Sequence, residues 1–186
     1  GFVNIGLRNI FGTGRAASIK WEQENRLSQQ LQLKYLEPWV FGFPFNISGG
    51  LFQRKQDTTY VQRRLDGELE YIATESITAS VLLESELTIP NQSNEDKFTV
   101  YNSSILTTGL RLSINTVDDF YAPTEGLIFN NTYKFSRKKI TGPEQFVTPE
   151  LETNVELQRI EVDFSYFQTI WNRQVGALGI HVREMK

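Results

Sequence analysis

The sequence contains no cysteine and a single histidine, His181, among its 186 residues. Without cysteine the chain can form neither disulfide bonds nor thiolate metal sites. One histidine is too few for a histidine-based metal cluster, and no serine or aspartate motif accompanies it as in a catalytic triad. We therefore expect no metal site, no cofactor and no catalytic residue, and we do not expect an enzyme.

A long apolar run is also missing, since no stretch reaches the about 18 consecutive apolar residues of a membrane-spanning helix. No charge of one sign dominates either: 19 Lys and Arg stand against 22 Asp and Glu, a formal net charge of −3. This balance gives no electrostatic reason to expect nucleic acid as a partner. The mean hydropathy of −0.35 suits a soluble β-protein and a membrane barrel equally, because barrel strands alternate apolar and polar residues.

What the sequence does have is period-two alternation along most of its length. It is clear in residues 15–22, 77–84 and 127–135, and it recurs in residues 30–35, 45–51, 106–114, 160–166 and 175–180. The alternating stretches are 6 to 9 residues long, and with their flanking residues we expect strands of about 8 to 12 residues, near the length that a tilted strand needs to cross a bilayer. The pattern predicts an all-β, antiparallel protein, and by itself it leaves a membrane barrel and a soluble two-sheet protein both open.

Aromatic residues gather near the ends of these segments, at residues 39–45, at Phe120 and Tyr121, and at Trp171. In a membrane barrel they would form a girdle at the lipid headgroups. In a soluble β-protein they would instead pack in the core. Residues 91–97 and 141–152 are polar stretches, which predict loops.

Two short motifs carry chemistry in other proteins. Gly12-Thr13-Gly14 lacks the lysine and the helix of a phosphate loop, so we interpret it as a turn. Asp118 and Asp119 are adjacent, and adjacent side chains of a strand point to opposite faces, so we expect a polar turn or strand end rather than a metal pair.

Charged residues at period-two spacing have a simpler interpretation than catalysis. Four glutamates, Glu68, Glu70, Glu84 and Glu86, are expected on the polar face of strands rather than as general acids or bases. Two basic runs, Arg63-Arg64 and Arg137-Lys138-Lys139, are typical of solvated strand ends. Contact with lipid phosphates or lipopolysaccharide is the functional alternative.

Four motifs occur in order along the chain: residues 9–14, 35–39, 43–52 and 118–126. The first reads N-hydrophobic-F-G-T-G and the last reads D-x-x-x-x-P-T-x-G. Together they resemble turns and strands of the bacterial surface antigen family, to which BamA and TamA belong. The turn residues that carry the resemblance are Phe11, Gly12, Gly14, Glu37, Pro38, Trp39, Asp118, Pro123 and Gly126.

The resemblance implies an antiparallel, up-and-down transmembrane β-barrel in the bacterial outer membrane. Barrels of that family have sixteen strands, whereas this sequence offers about nine or ten. We therefore expect residues 1–186 to form one domain that is a partial barrel, roughly the N-terminal half. The family's periplasmic POTRA repeats, its Arg-Gly-aromatic lumen motif and its closing strands are not found in these residues.

The resemblance also implies a function, the energy-independent insertion of outer-membrane proteins. In the family the first barrel strand opens as a lateral gate and templates an incoming strand. Here that strand would comprise Gly1, Phe2, Val3, Asn4, Ile5, Gly6, Leu7 and Arg8, in which the two glycines would weaken pairing and packing.

The implied partners are membrane lipid or lipopolysaccharide, unfolded outer-membrane protein clients, and the rest of the barrel or the subunits of an assembly complex. Two alternatives remain open from the sequence. One is a two-partner-secretion pore of the same superfamily. The other is a soluble or lipid-binding β-sandwich or lipocalin-like carrier.

Overall fold

The computed structural model describes residues 1–57, 59–91, 100–142, 147 and 151–186. Within these ranges ten strands form one antiparallel sheet, in which chain order is also the order of the strands. The strands are β1 (Phe2–Ile10), β2 (Arg15–Gln23), β3 (Gln29–Glu37), β4 (Phe45–Gln56), β5 (Tyr60–Thr74), β6 (Ile77–Pro90), β7 (Asn102–Asn115), β8 (Gly126–Gly142), β9 (Asn154–Trp171) and β10 (Gln174–Met185).

The predicted fold class and strand number are thus confirmed. A 3-10 turn, Val40–Gly42, lies between β3 and β4. No helix in the described ranges is long and apolar enough to cross a membrane. The loop predicted at residues 141–152 begins later than expected, because β8 continues to Gly142. Most of that loop, and most of the one predicted at residues 91–97, lies outside the described residues.

The strand register gives the sheet two chemically different faces. Val81 pairs with Leu69 on one side and with Leu110 on the other. Its near neighbour Glu84, which points the opposite way, pairs with Asp66 and Thr107. Because neighbouring strands are in phase, the alternation of each strand adds up to one apolar face, here called the outer face, and one polar face, the inner face.

The two faces differ in exposure as well as in chemistry. Leu82 is the one buried hydrophobic residue among those described, and it lies on the inner face with the buried residues Ser80, Ser103, Thr107 and Thr132. On the outer face large apolar side chains are open, with Leu110 61% exposed. The sheet therefore curves around its inner face, and no second layer of described residues covers the outer one. The architecture is a curved single sheet and not a two-sheet sandwich.

The apolar part of the outer face slides along successive strands. Towards the end where even-numbered strands finish, the last apolar pair of the outer face is Val3 with Trp21 on β1 and β2, and Val162 with Val182 on β9 and β10. The cross-strand pairing can be followed from each pair to β4. The first pair is then level with Gln53, and the second is level with Phe45. That offset, spread over the whole sheet, corresponds to a slope of about 30°. A level apolar band thus requires strands tilted by about that angle, as in membrane barrels.

Candidate functional site

β1 is an open edge of the sheet. It pairs with β2 on one side and has no strand on its other side in the described part of the chain. Its outer residues Val3, Ile5 and Leu7 lie opposite Trp21, Ile19 and Ala17, and Ile5 and Leu7 are more than half exposed. A Cβ added at Gly6 would meet nothing within 4 Å. Gly6 therefore contributes no side-chain packing to the edge strand.

β10 is the second open edge. It pairs only with β9, and it does not pair with β1, so the ten described strands form an unclosed sheet. β10 has 12 residues, whereas β1 has 9. On its inner face His181 Nδ1 lies 2.7 Å from Asp163 Oδ1 on β9. The ladder that β10 forms with β9 is therefore longer than the ladder that β1 forms with β2.

The first motif forms a tight turn between β1 and β2. Asn9, Phe11, Gly12 and Gly14 all have positive φ. The Asn9 side chain accepts a hydrogen bond from the Gly14 N–H at 2.9 Å, and the Asn9 carbonyl accepts one from Gly12 at 3.0 Å. The Thr13 N–H also donates to the Ile10 carbonyl, at 3.2 Å. The segment is therefore a turn, as predicted, and three of its backbone N–H groups donate hydrogen bonds within it.

The second motif joins the ends of three neighbouring segments. Glu37 Oε1 and Oε2, at the end of β3, both accept from Arg15 Nε at 2.8 Å, at the start of β2. Glu37 also accepts from the Tyr35 hydroxyl at 2.5 Å. Pro38 follows β3 directly and lies next to Gly14, where an added Cβ would come 3.2 Å from the proline ring. Trp39 then turns the chain with φ of 50°.

The last motif forms the connection between β7 and β8. Asp118 Oδ1 accepts from the N–H groups of Thr124 and Glu125 at 2.8 and 3.0 Å, and Oδ2 accepts from the Thr124 hydroxyl at 2.5 Å. The Thr124 hydroxyl first, and then these two N–H groups, hold the pKa of Asp118 well below its usual value. At Gly126, with φ of 109°, a Cβ would lie 2.4 Å from the Thr116 carbonyl oxygen, so only glycine fits.

Asp119 is also used within this turn, because its Oδ1 accepts from the N–H groups of Tyr121 and Ala122 at 2.7 and 2.9 Å. The two adjacent aspartates thus hold a polar turn. Across the described ranges no group of three or more Asp, Glu or His side chains is placed to hold a metal ion.

Large aromatic side chains project from the end of the sheet where odd-numbered strands finish. We call this set the aromatic rim: Phe11, Trp39, Phe41, Phe43, Phe120, Tyr121 and Trp171. The exposed fractions of Phe11, Phe41 and Tyr121 are 93, 95 and 93%. The sequence predicted most of these residues near segment ends, and the strand topology puts those ends on the same side of the sheet. Phe11 was identified as a turn residue only, although its place after an odd-numbered strand indicates the same rim.

The other end of the outer face carries cations instead. We call this set the basic belt: Lys55, Arg63, Arg137 and Lys139. The strands divide each basic run between the two faces, so that Arg63 faces outward while Arg64 lies on the inner face over the Phe52 ring, 5.2 Å from its centroid. Lys139 and Lys138 are divided in the same way. The sequence analysis did not identify Lys55. The only signal for it was that Lys55 and Arg54 are adjacent in a strand, which places one of them on the outer face.

The inner face is a polar surface held by its own ion pairs and hydrogen bonds. Glu68, Glu70, Glu84 and Glu86 share this face, as predicted. Arg111 on β7 reaches across β6 to Glu68 on β5, with a separation of 2.8 Å. Asn46 donates to Glu70 at 2.8 Å. Arg111 was missed in the sequence, because its partner lies 43 residues away.

A family model described as the Omp85 superfamily domain matches residues 9–183. The matched range includes all of the motif residues named above and leaves out residues 1–8. Comparison with curated proteins gave no match.

Proposed function

Because the chain belongs to the Omp85 superfamily of outer-membrane insertases and translocators, we propose that it is part of an insertase of the BamA and TamA type. In this proposal the sheet spans the outer membrane, and the open edge of β1 templates the strands of incoming client proteins. The observation that supports it most is that, among the described strands, the edge of β1 is unpaired and borders an apolar face that no described residue covers.

The physical basis is the hydrogen bonding of the backbone. Every N–H and C=O group within the lipid must be satisfied, because no water is present there. An open edge therefore binds an added strand strongly, and an unfolded client supplies such a strand. Chemistry on a substrate is not needed for this activity, and superfamily members act without catalysis.

We assign the templating edge to β1 rather than to β10. β1 is the shorter strand, with 9 residues against 12 in β10, and it forms the shorter ladder with its neighbour. Glycine does not distinguish the two edges, because β1 contains Gly6 and β10 contains Gly176 and Gly179. The shorter ladder lowers the free energy needed to separate β1 from a partner. β10 would then pair with the remaining strands of a larger barrel or with a subunit of an assembly complex. Since the family match begins at Asn9, the assignment of Gly1 to Arg8 as the gate rests on this geometry.

Depletion of the full-length protein tests the function itself. If it is an insertase, the amounts of other outer-membrane barrels should fall soon after depletion, while inner-membrane proteins stay constant. A pore for secretion of a single passenger predicts the reverse, with normal barrel levels and loss of one secreted protein. Normal barrel levels would therefore contradict the proposal.

Disulfide crosslinking tests which edge is used. The chain has no cysteine, so a single cysteine can be placed on either edge without background. Asn4→Cys on β1 and Ala177→Cys on β10 both lie on the inner face and form a matched pair. With a client that carries a cysteine in its last strand, we expect crosslinks to Asn4→Cys and none to Ala177→Cys. Crosslinks to the β10 variant alone would overturn the assignment.

A further inference from the structure

The basic belt lies just beyond the apolar band of the outer face. On β5 the outer residue that follows Leu65 is Arg63, and on β8 the outer residue that follows Phe135 is Arg137. In a membrane barrel the surface just beyond the apolar band lies among the lipid headgroups. The belt cations are therefore at the height where headgroup phosphates occur.

The four cations form two pairs. Lys55 and Arg63 are diagonal neighbours on β4 and β5, and Arg137 and Lys139 are alternate residues of β8. Arg63 and Lys139 belong to one row of the ladder, which runs through Leu87 and Ser104. Three strand spacings separate them, so their Cα atoms are about 14 Å apart.

An apolar strip separates the two pairs. Leu87 and Ile89 on β6 continue the apolar band to the height of the belt, and they are 44 and 45% exposed. On the strands that flank the two pairs, the outer residues beside the cations are polar: Gln53 on β4 lies opposite Arg63, and Asn154 on β9 lies opposite Lys139. A ligand that fits this surface has two anionic groups about 14 Å apart with apolar chains between or below them.

Three of the four cations have no ion pair with another residue of the described ranges: Lys55, Arg63 and Lys139. Arg63 and Lys139 are exposed. Arg137 is 3.2 Å from Glu156, but both side chains are well exposed, at 71 and 63%. Such a surface ion pair contributes little free energy and is easily exchanged for a stronger anion.

We propose that the basic belt binds the two phosphates of a lipid A headgroup, one at each cation pair, with acyl chains over the Leu87 and Ile89 strip. Outer membranes contain this diphosphorylated glycolipid, and a phosphoglyceride with one phosphate would engage only one pair. The inference rests on the membrane-spanning part of the proposed function and does not depend on client insertion. It also orients the molecule, with the basic belt towards the leaflet that contains lipid A.

Two triple variants test the belt, since each of three basic dipeptides has one residue on each face. The outer triple is Lys55→Gln, Arg63→Gln and Lys139→Gln. The inner triple, Arg54→Gln, Arg64→Gln and Lys138→Gln, changes adjacent positions by the same charge. The full-length protein is placed in phosphatidylcholine nanodiscs, and binding of fluorescent diphosphoryl lipid A is measured. Each belt cation is worth about fivefold in affinity, so we expect the outer triple to bind at least tenfold more weakly and the inner triple to bind within twofold of wild type.

The same assay separates the sources of phosphate. Monophosphoryl lipid A and phosphatidylglycerol should each bind more weakly than the diphosphoryl form, and millimolar inorganic phosphate should not displace it. Equal loss in both triples would mean that net charge alone matters, and no loss in the outer triple would mean that the belt is not the site. Equal binding of phosphatidylglycerol would contradict the two-phosphate assignment. Each of these results overturns the proposal.

Folding and function are checked in parallel. A further triple variant, Lys55→Arg, Arg63→Lys and Lys139→Arg, keeps the three positive charges of the belt. If the outer triple loses lipid A binding through lost charge and not through misfolding, this variant should bind lipid A as the wild type does. Client insertion into phosphatidylcholine vesicles should proceed in the outer triple at the wild-type rate, because the belt is remote from β1. In the wild-type protein, lipid A binding without client insertion would overturn the proposed function alone, and client insertion without lipid A binding would overturn the belt proposal alone.

Discussion

The two ends of the outer face border the same apolar band but are built differently. Most of the aromatic rim belongs to turns, several of which hold a non-glycine residue at positive φ, as at Phe11, Trp39 and Phe41. The basic belt belongs to regular strand positions in which nothing about the backbone is unusual. Local turn chemistry therefore specifies the rim, whereas the belt depends on the register of strands that are far apart in the chain. Changes at the two ends should have correspondingly different effects.

The largest effect is expected from breaking a turn of the rim end. In Gly126→Ala the new Cβ would overlap the Thr116 carbonyl oxygen and the residue would have to keep a φ of 109°. We expect the free energy of unfolding to fall by about 3 kcal/mol or more. Gly6→Ala is the control, because its Cβ would meet nothing within 4 Å. Urea unfolding in detergent micelles measures both, and equal stability of the two variants would contradict the account.

This prediction also shows what can be seen in the sequence. The motif at residues 118–126 names Asp118, Thr124 and Gly126 as neighbours in one turn, so their roles follow from short-range chemistry. The all-β class follows from alternation for the same reason. The ion pair of Arg111 with Glu68 does not follow, because it needs the pairing of β5 with β6 and of β6 with β7. The strand tilt and the composition of the basic belt also depend on that pairing, as does the inner or outer position of each basic residue.

A charge placed in the apolar band should be much less tolerated than one placed in the belt. Leu110 and Ser104 both lie on the outer face of β7, Leu110 within the band and Ser104 in the row of Arg63 and Lys139. In lipid bilayers we expect Leu110→Arg to lower the free energy of unfolding by about 2–3 kcal/mol and Ser104→Arg by less than about 1 kcal/mol. Folding titrations into liposomes give both values. Similar costs at the two positions would show that the band does not end where the belt begins.

The rim end should depend on pH through Asp118. Its hydrogen bonds with Thr124 and Glu125 lower the pKa of the folded state, so the ionised carboxylate adds stability at pH 7. This stability should be lost progressively as the pH falls below about 4, the ordinary value for aspartate, towards the lower folded-state pKa. Asp118→Asn lacks the contribution at every pH. The stability difference between wild type and variant should therefore narrow between pH 7 and pH 3, and a constant difference would exclude this role.

The smallest effects are expected within the rim, where Phe41 and Phe43 are both exposed but have different backbone conformations. Phe41 has φ of 53°, whereas Phe43 is extended with φ of −86°. Glycine relieves strain at the first position and only adds chain entropy at the second. In detergent micelles we expect Phe41→Gly to raise the free energy of unfolding by about 0.5–1 kcal/mol and Phe43→Gly to lower it by about 0.5 kcal/mol.

In a bilayer the advantage of Phe41→Gly should disappear, because the exposed ring is then lost from the headgroup region where aromatic side chains are favoured. The comparison of micelles with liposomes thus separates the strain at residue 41 from the benefit of the ring. If Phe41→Gly is stabilised equally in both, its ring does not contact the membrane. In that case the positive φ of the aromatic residues in these turns has no compensation from lipid, and the rim would need another partner to account for it.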